Sequence, residues 1–512
     1  MFDKKLKFQS HLDQATKKGT TFMQTLSGIA RITWGTPFKY TRRLYTSVIQ
    51  PKISYGAPIW HRPEDGHNSP ITMQIQNLTA VQRLAMRMIT GCFRTTSTAA
   101  LQHETDLLPI ELELKKQVMK YLTRSQTLPA KHAIAIRLRR AMASASGSRF
   151  PSNLEHMIKK YPQYVITTME VIHPHIQPPW QLRPNVTTHI SRSDKEKAKE
   201  EHGKFLKQNE SPHTLNIYTD GSGIDNGVGA AAYCPTTETS SQKHLGTADA
   251  VNVYAAELTG ILLGIEMAER SSREYTNCYI YVDNQAAIQA IDKPRQQSGQ
   301  YVIREIYRTL DTLLNERPNL TFSIRWVPGH MEIEGNDRAD EEAKNAAAYG
   351  EASHQQSRPP IPPNTVTLKS VQVQKIISET KKAAAKEWDS GKATSQHLRQ
   401  LSRRRFKTGT RIYGELPRKQ AANLIRLRTG HCRLNSYLHR YKIVDDPQCD
   451  CGKGIETPKH FLLTCKKYEK QRDQLRKKIG GRNMRLGILL GNPKTTKATL
   501  EFVEETGRFN FE

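Results

Sequence analysis

A multidomain chain, with a mixed α/β sheet and flanking helices set between a mostly helical N-terminal region and a small helical C-terminal region, is the architecture this sequence predicts. Three observations predict it. The β-favouring runs LNIYTD, GVGAAAYC, CYIYVD and FSIRWV alternate with helix-period segments between about 212 and 350. Proline-rich or charged stretches bracket that block. Outside the brackets, apolar residues recur at helical spacing.

Residues 1–171 read as packed helices, with Phe22, Leu26, Ile29 and Ala30 on one stripe and Leu78, Val81, Leu84, Ala85 and Met88 on another. Over 172–211, HPHIQPPWQLRPN gives way to SRSDKEKAKEEHGKFLKQNES, the composition of a linker. Residues 212–350 are the right length for one domain. Their order is a strand over 215–220, the strand GVGAAAYC, a third near 242–248, then helix, strand, helices, strand and helix. A Pro-rich break at 351–366 leads into a basic region at 367–512.

The chain has 512 residues and a formal net charge of +28, which attracts polyanions, so nucleic acid is the first partner to expect. No apolar run is long enough to span a bilayer, no lipidation signature is visible, and the N-terminus lacks the apolar stretch of a signal peptide. Seven cysteines, three of them in one short cluster, do not make a secreted disulfide framework. A reducing, intracellular compartment is expected, with the nucleus open to it and no membrane partner.

Candidate chemistry begins with Asp220, where the first β run stops and glycines take over; alone, that pattern is a strand running into a turn. Asp283 ends the CYIYVD run in the same way. Glu257 shares a helical stripe with Ile261, Gly264 and Ala268, so it should face inward. In the last helix Asp340 aligns with Asn336, Ala343 and Ala347, leaving Asp337 and Glu341 lateral. Four converging carboxylates imply bound cations or raised pKa values. Hard divalent ions such as Mg²⁺ take oxygen ligands, and a pair of them about 4 Å apart can activate water and stabilise the leaving oxygen of a phosphodiester.

In order and spacing, YTDGSG, YAAELTGI, YVDNQAA and WVPGHMEIEGNDRADEEAK resemble the motifs of a type 1 ribonuclease H over 212–350. The resemblance implies metal-dependent endonucleolytic cleavage of the RNA strand of RNA–DNA hybrids. Asp220, Glu257, Asp283 and Asp340 would hold two Mg²⁺ ions, with Mn²⁺ as a substitute. His330, before the last helix, would assist proton transfer or product release. Asp337 competes as the fourth carboxylate, but the ten-residue step from His330 favours Asp340. DKPRQQSGQ stands where some relatives carry a long basic insertion that grips the hybrid.

Upstream, LYTSVIQPKISYGAPIW and AVQRLAMRMITGCFRTTS look like the thumb and connection that follow the palm in non-LTR retrotransposon reverse transcriptases. The chain is therefore expected to be the C-terminal part of a longer polyprotein, lacking the palm, and no polymerase activity is assigned to it. Downstream, Cys449, Cys451, His460 and Cys465 offer three thiolates and an imidazole, a tetrahedral Zn²⁺ set, with unlinked intracellular cysteines as the alternative. QCDCGKGIETPKHFLLTC looks like the CCHC motif at the C-terminus of non-LTR retroelement proteins. Basic segments on both sides, QLSRRRFKTGTRIYGELPRK and KKYEKQRDQLRKKIGGRNMR, could grip phosphates without reading sequence. Two rival functions stay open: a catalytically decayed nucleic-acid-binding remnant, and a zinc-stabilised interaction module.

Overall fold

Strands β1 (Thr187–His189), β2 (Thr214–Ile224), β3 (Gly227–Cys234), β4 (Thr239–Thr247), β5 (Asn277–Val282) and β6 (Thr321–Trp326) form one sheet in the order β1-β6-β5-β2-β3-β4. The computed structural model describes residues 8–61, 70–143, 152–178, 180, 184, 186–272, 274–349, 366–390, 398, 401 and 408–509. The Pro-rich stretch at 351–365 and the RRRFK run at 403–407 lie outside them. β1, β6, β5 and β2 pair in parallel, whereas β2, β3 and β4 pair antiparallel, so β2 is where the sheet changes sense.

Helices α1 (Lys195–Gln208), α2 (Val253–Arg270), α3 (Gln285–Asp292), α4 (Gln300–Glu316) and α5 (Glu334–Tyr349) flank the sheet. Leu215 and Ile217 of β2 and Ile280 of β5 join Leu258, Ile261 and Leu262 of α2 and Ile303, Ile306 and Leu310 of α4 in one apolar core. A smaller cluster gathers Tyr218, Tyr279 and Tyr281 with Val327, Ile333 and Ala339.

The 172–211 segment, expected as a linker, is built into this unit. β1 adds an edge strand to β6, with Thr188 opposite Ile324. α1 covers the tyrosines: His202 Nε2 lies 2.9 Å from the Tyr218 hydroxyl, and Phe205 meets Tyr279 edge-on with centroids 5.0 Å apart. The guanidinium of Arg325 sits 3.6 Å from the centroid of the Phe205 ring. The cause is the alternation of β5, which sets Tyr279 and Tyr281 on one face; a face so rich in aromatic area is buried only if something covers it. In α1 the residues His202, Phe205 and Leu206 fall at helical spacing on one side. Charge-rich composition concealed that stripe.

Flanking sequence is also tied in. Met169 bridges Thr367, and the buried Glu170 accepts the Gly299 and Lys369 amides, both at 2.8 Å. The compact unit accordingly runs from Met119 to Ile376.

A second unit joins the described residues up to Val118 with those from Ile377 onward. Expected as parts of separate regions, 1–171 and 367–512, these segments share one core in which Leu12, Phe38, Ile53 and Leu78 pack with Leu424, Leu427, Phe461 and Phe502. Arg428 is fully buried and binds the Glu104 carboxylate at 3.1 Å and the Leu490 carbonyl at 2.6 Å. A buried charge needs such a partner, so this contact fixes which C-terminal helix faces which N-terminal one. The helix Gln9–Ser27 buries Leu12, Ala15, Gly19 and Met23, while of the expected stripe Phe22 and Leu26 are half-buried against the same core and Ala30, past the helix end, is buried. Ile29 lies past its end and is 49% exposed.

Candidate active site and metal centre

In the parallel pairing of β2 with β5, Thr219 is opposite Val282. The next residues are Asp220 and Asp283, so the register alone sets two carboxylates on adjacent chains. Asp220 was expected where the strand stops. Instead it lies inside β2, opposite Ala231 of β3, and the strand continues to Ile224 before turning at Asp225 and Asn226, with φ of 47° and 70°. Two left-handed residues are what a tight hairpin requires.

The glycine after Asp220 serves a different purpose from a turn. A Cβ on Gly221 would stand 2.3 Å from the Glu257 amide nitrogen, and one on Gly260 would stand 2.9 Å from the Asp220 carbonyl oxygen. β2 and α2 therefore meet backbone to backbone, which no side chain larger than hydrogen permits at these positions. That approach carries Glu257 to the two aspartates. One oxygen from each of Asp220, Glu257 and Asp283 lies within 4.8 Å of the others.

Asp220 and Glu257 are buried, 7% and 6% exposed. Burial, followed by the charges of Asp283 and Asp340, pushes the Asp220 carboxyl up to about 7. Burial, followed by Asp220 and Asp283, pushes Glu257 up to about 9. Asp283 is raised too, chiefly by burial, against a lowering pull from His330. Asn284 Nδ2 donates to Glu257 Oε1 at 3.3 Å, while the buried Oε2 has no hydrogen-bond partner. Trp326 Nε1 donates to the Asp283 carbonyl at 2.9 Å. An oxygen-only donor set with raised pKa values and one buried oxygen unpartnered fits a divalent cation.

Asp340 stands beside this trio, not within it. On α5, Asn336, Ala343 and Ala347 are buried, and Asp337 and Glu341 are exposed. The Asp340 side chain is 26% exposed and binds Lys344 Nζ at 2.6 Å, yet its charge acts on all three other carboxyls. His330 is exposed, with a left-handed backbone at φ 58°. Lys195 of α1, which carried no signal in the sequence beyond a charge run, donates from Nζ to the Gly329 carbonyl at 3.0 Å and pulls the Asp283 carboxyl down. Lys344 was also missed, although its four-residue step from Asp340 on one helix face could have shown it.

In the other unit, Cys449, Cys451, His460 and Cys465 come together with one ligand atom each inside a 4.8 Å span. Cys449 Sγ is 3.6 Å from Cys465 Sγ, and Cys451 Sγ is 3.3 Å from His460 Nε2. The Cys449 amide donates to the Gly454 carbonyl at 2.9 Å across a turn in which Gly452 and Gly454 have positive φ. That turn is why the two-residue Cys step can point both sulfurs inward. Thr464 Oγ1 lies 3.3 Å from His460 Nδ1, leaving Nε2 on the cluster side. Three thiols and an imidazole at these separations are a donor set that suits zinc.

Residues 212–348 match the family model for RNase H. The 115 kDa protein of type-1 retrotransposable element R1DM from Drosophila melanogaster is 28% identical over 116 residues, 23% of this chain and 11% of that protein. A retrovirus-related Pol polyprotein from type-1 retrotransposable element R1 4 of Nasonia vitripennis is 28% identical over 120 residues, 23% of this chain and 29% of its own length. The chain thus spans under a third of the curated relatives it matches. Among solved structures, RNase H1 from Halobacterium salinarum aligns with 26% of this chain and 96% of its own at 16% identity and a TM-score of 0.21. The N-terminal RNase H domain of a Mycobacterium tuberculosis protein aligns with 26% and 98% at 18% identity and a TM-score of 0.20. The relatives are non-LTR retrotransposon proteins, and the sheet with its flanking helices is an RNase H-like fold. Among the described residues no helix is long and apolar enough to cross a membrane.

Proposed function

We propose that the RNase H-like domain cleaves the RNA strand of RNA–DNA hybrids in a reaction that depends on divalent cations, as a type 1 ribonuclease H within a retroelement protein. The observation that supports this most is the meeting of Asp220, Glu257 and Asp283 within 4.8 Å, two of them buried with carboxyls pushed up to about 7 and about 9. Asp220, Glu257, Asp283 and Asp340 would hold Mg²⁺, with Mn²⁺ as a substitute, and the bound ions would supply charge to activate a water and to stabilise the leaving oxygen.

The chain's own groups do the rest. Asn284 orients Glu257 through its 3.3 Å hydrogen bond. Lys344 holds Asp340 at the edge of the cluster, within reach of the other charges. His330, exposed and near enough to pull the Asp283 carboxyl down, would pass a proton at its imidazole between the reacting phosphodiester and solvent. RNA selectivity would come from the 2′-hydroxyl and from the A-like shape of a hybrid. Zinc at Cys449, Cys451, His460 and Cys465 would be structural, with no part in the chemistry.

Purified full-length chain, given a hybrid labelled on its RNA strand, should cut that strand with Mg²⁺, leave the DNA strand whole, and stop with chelator. Asp283→Asn should be inactive yet folded. Cleavage retained by that variant at saturating Mg²⁺ would remove the assignment.

A further inference from the structure

Between β6 and α5 the chain runs through Gly329 and His330 to Glu332, and the backbones of His330 and Glu332 are left-handed, with φ of 58° and 54°. Side chains larger than glycine's strain that conformation, so such a path persists only where neighbouring groups fix it. The two ends of the loop are fixed by the sheet and the core. The Val327 amide donates to the Val282 carbonyl at 3.0 Å, and Ile333 is buried.

Its middle is held at Gly329, from two sides. A Cβ on Gly329 would stand 2.3 Å from Asp283 Oδ2, so the loop backbone lies directly against a member of the carboxylate cluster. The carbonyl of the same glycine accepts Lys195 Nζ at 3.0 Å. The ammonium is close enough to Asp283 to pull its carboxyl down, as His330 does from the next position of the loop.

Lys195 comes from α1, and the first turns of that helix are built to aim it. Asp194 Oδ1 accepts the Lys197 amide at 3.0 Å, and the hydroxyls of Ser191 and Ser193 donate to the Glu201 carboxylate at 2.8 and 2.6 Å. Lys195 stands at helical spacing from Ala198 and His202, both buried, so it projects from the side of α1 that meets the domain. His202 is tied to the Tyr218 hydroxyl, and Tyr218 lies two residues before Asp220 on β2. One rigid helix thus joins the strand that carries Asp220 to the loop that carries His330.

We propose that Lys195 is a positioning residue for hybrid cleavage: its hydrogen bond to the Gly329 carbonyl holds the loop against Asp283 and so keeps the His330 imidazole beside the carboxylate cluster. The catalytic half of this proposal rests on the nuclease reading, whereas the anchoring of the loop does not.

The test has two arms, both on the full chain, with Lys195→Met, which keeps the aliphatic stem, and Lys195→Arg, which keeps a donor. Lys195 is exposed, so neither variant should move the melting temperature. In chelator, the loop is read by the rate of nicking after Glu332 with a glutamate-specific protease; cutting before the buried Ile333 requires the loop to open, and nicking after Glu238 in the exposed β3–β4 turn is the internal standard. Loss of one charged donor should speed nicking after Glu332 about fivefold in Lys195→Met, leave nicking after Glu238 unchanged, and be mostly restored in Lys195→Arg. With Mg²⁺ and a hybrid labelled on its RNA strand, Lys195→Met should lower kcat about tenfold with KM within about twofold. In a His330→Ala background the same change should lower kcat by less than about twofold, because no imidazole is left to position. Unchanged nicking after Glu332 would overturn the proposal, and so would an equal loss of kcat in both backgrounds. A rise in KM that grows with salt at unchanged kcat would overturn it too, making Lys195 a phosphate contact. A wild-type chain that cleaves nothing would remove the nuclease reading alone, and nicking would then decide whether Lys195 holds the loop.

Discussion

At the residue scale, Glu257 and Asp220 set how the domain responds to pH. Their folded pKa values, about 9 and about 7, lie above the ordinary 4.5 and 3.8. A carboxyl raised on folding holds a proton that the unfolded chain has released, so the contribution of these two groups to stability is greatest below about pH 4 and falls as pH rises toward 9. Metal-free protein should therefore melt lower at pH 8 than at pH 5, and Mg²⁺ should recover the loss at pH 8. Glu257→Gln, which never ionises, should be more stable than wild type in chelator at pH 8 by on the order of 2 kcal/mol, while losing cleavage. Chelated wild type and variant with parallel pH profiles would show that the carboxyls do not repel. The choice between Asp340 and Asp337 also belongs here. The charge of Asp340 raises the three clustered carboxyls, whereas the Asp337 side chain is exposed on the lateral face of α5. Asp340→Asn should cut the rate by more than about 100-fold, beyond the 10–100-fold cost of an outer partner, and Asp337→Asn should stay within about threefold. The reverse order in a steady-state hybrid assay would assign the role to Asp337.

At the element scale, the domain depends on the crossing of β2 and α2. Gly221→Ala would drive a methyl into the Glu257 amide, and backbone cannot move aside as a flexible side chain can. The expected cost is about 3 kcal/mol or more, read by denaturant unfolding, and a neutral result would mean the helix can shift outward. The edge of the sheet gives a second expectation: a fragment of 205–352 lacks β1 and most of α1 and should be less stable than one of 119–376. Equal melting temperatures would demote both elements to ornaments. These two cases show what the sequence could and could not reveal. Glu257 and Asp283 were legible because a helical stripe and a strand end are local patterns, whereas Asp220 was singled out by a strand end that the fold moves on to Ile224. Gly221 was read as part of a turn because nothing local distinguishes a glycine that bends the chain from one that admits a neighbour. α1 was read as linker because KEKAKEEHGKFLKQ is dominated by exposed charge, and its short covering stripe has meaning only once Tyr218, Tyr279 and Tyr281 are known to share a face. Lys195 was invisible for the same reason: its partner is a carbonyl more than a hundred residues away in sequence.

At the scale of the whole molecule, the zinc candidate has wider consequences than its four residues suggest. Read as sequence, Cys449 to Cys465 is a small module whose loss of metal should disturb only its surroundings. In the fold, Cys449, Phe461 and Cys465 belong to the same core as Leu12, Phe38 and Leu78. Arg472, from the basic helix Glu469–Ile479, donates to the Leu462 carbonyl at 3.3 Å and to the Cys465 carbonyl, so the ligand segment also positions that helix. Structural zinc supplies on the order of 10 kcal/mol of folding free energy, comparable to the whole stability of a domain. Chelation, or Cys465→Ser, should therefore loosen the helical unit as a body, including the N-terminal helices, while α2 and the sheet keep their protection. Hydrogen exchange with and without chelator would show this directly. Faster exchange confined to Cys449–Cys465 would mean that the shared apolar contacts hold without metal. Faster exchange at Leu78–Ile89 as well would mean that the two ends of the chain are joined through the metal site. The basic helix should lose its alignment in the second case, so binding of nucleic acid at moderate salt should weaken in Cys465→Ser while cleavage at low salt survives, because the carboxylates fold in the other unit.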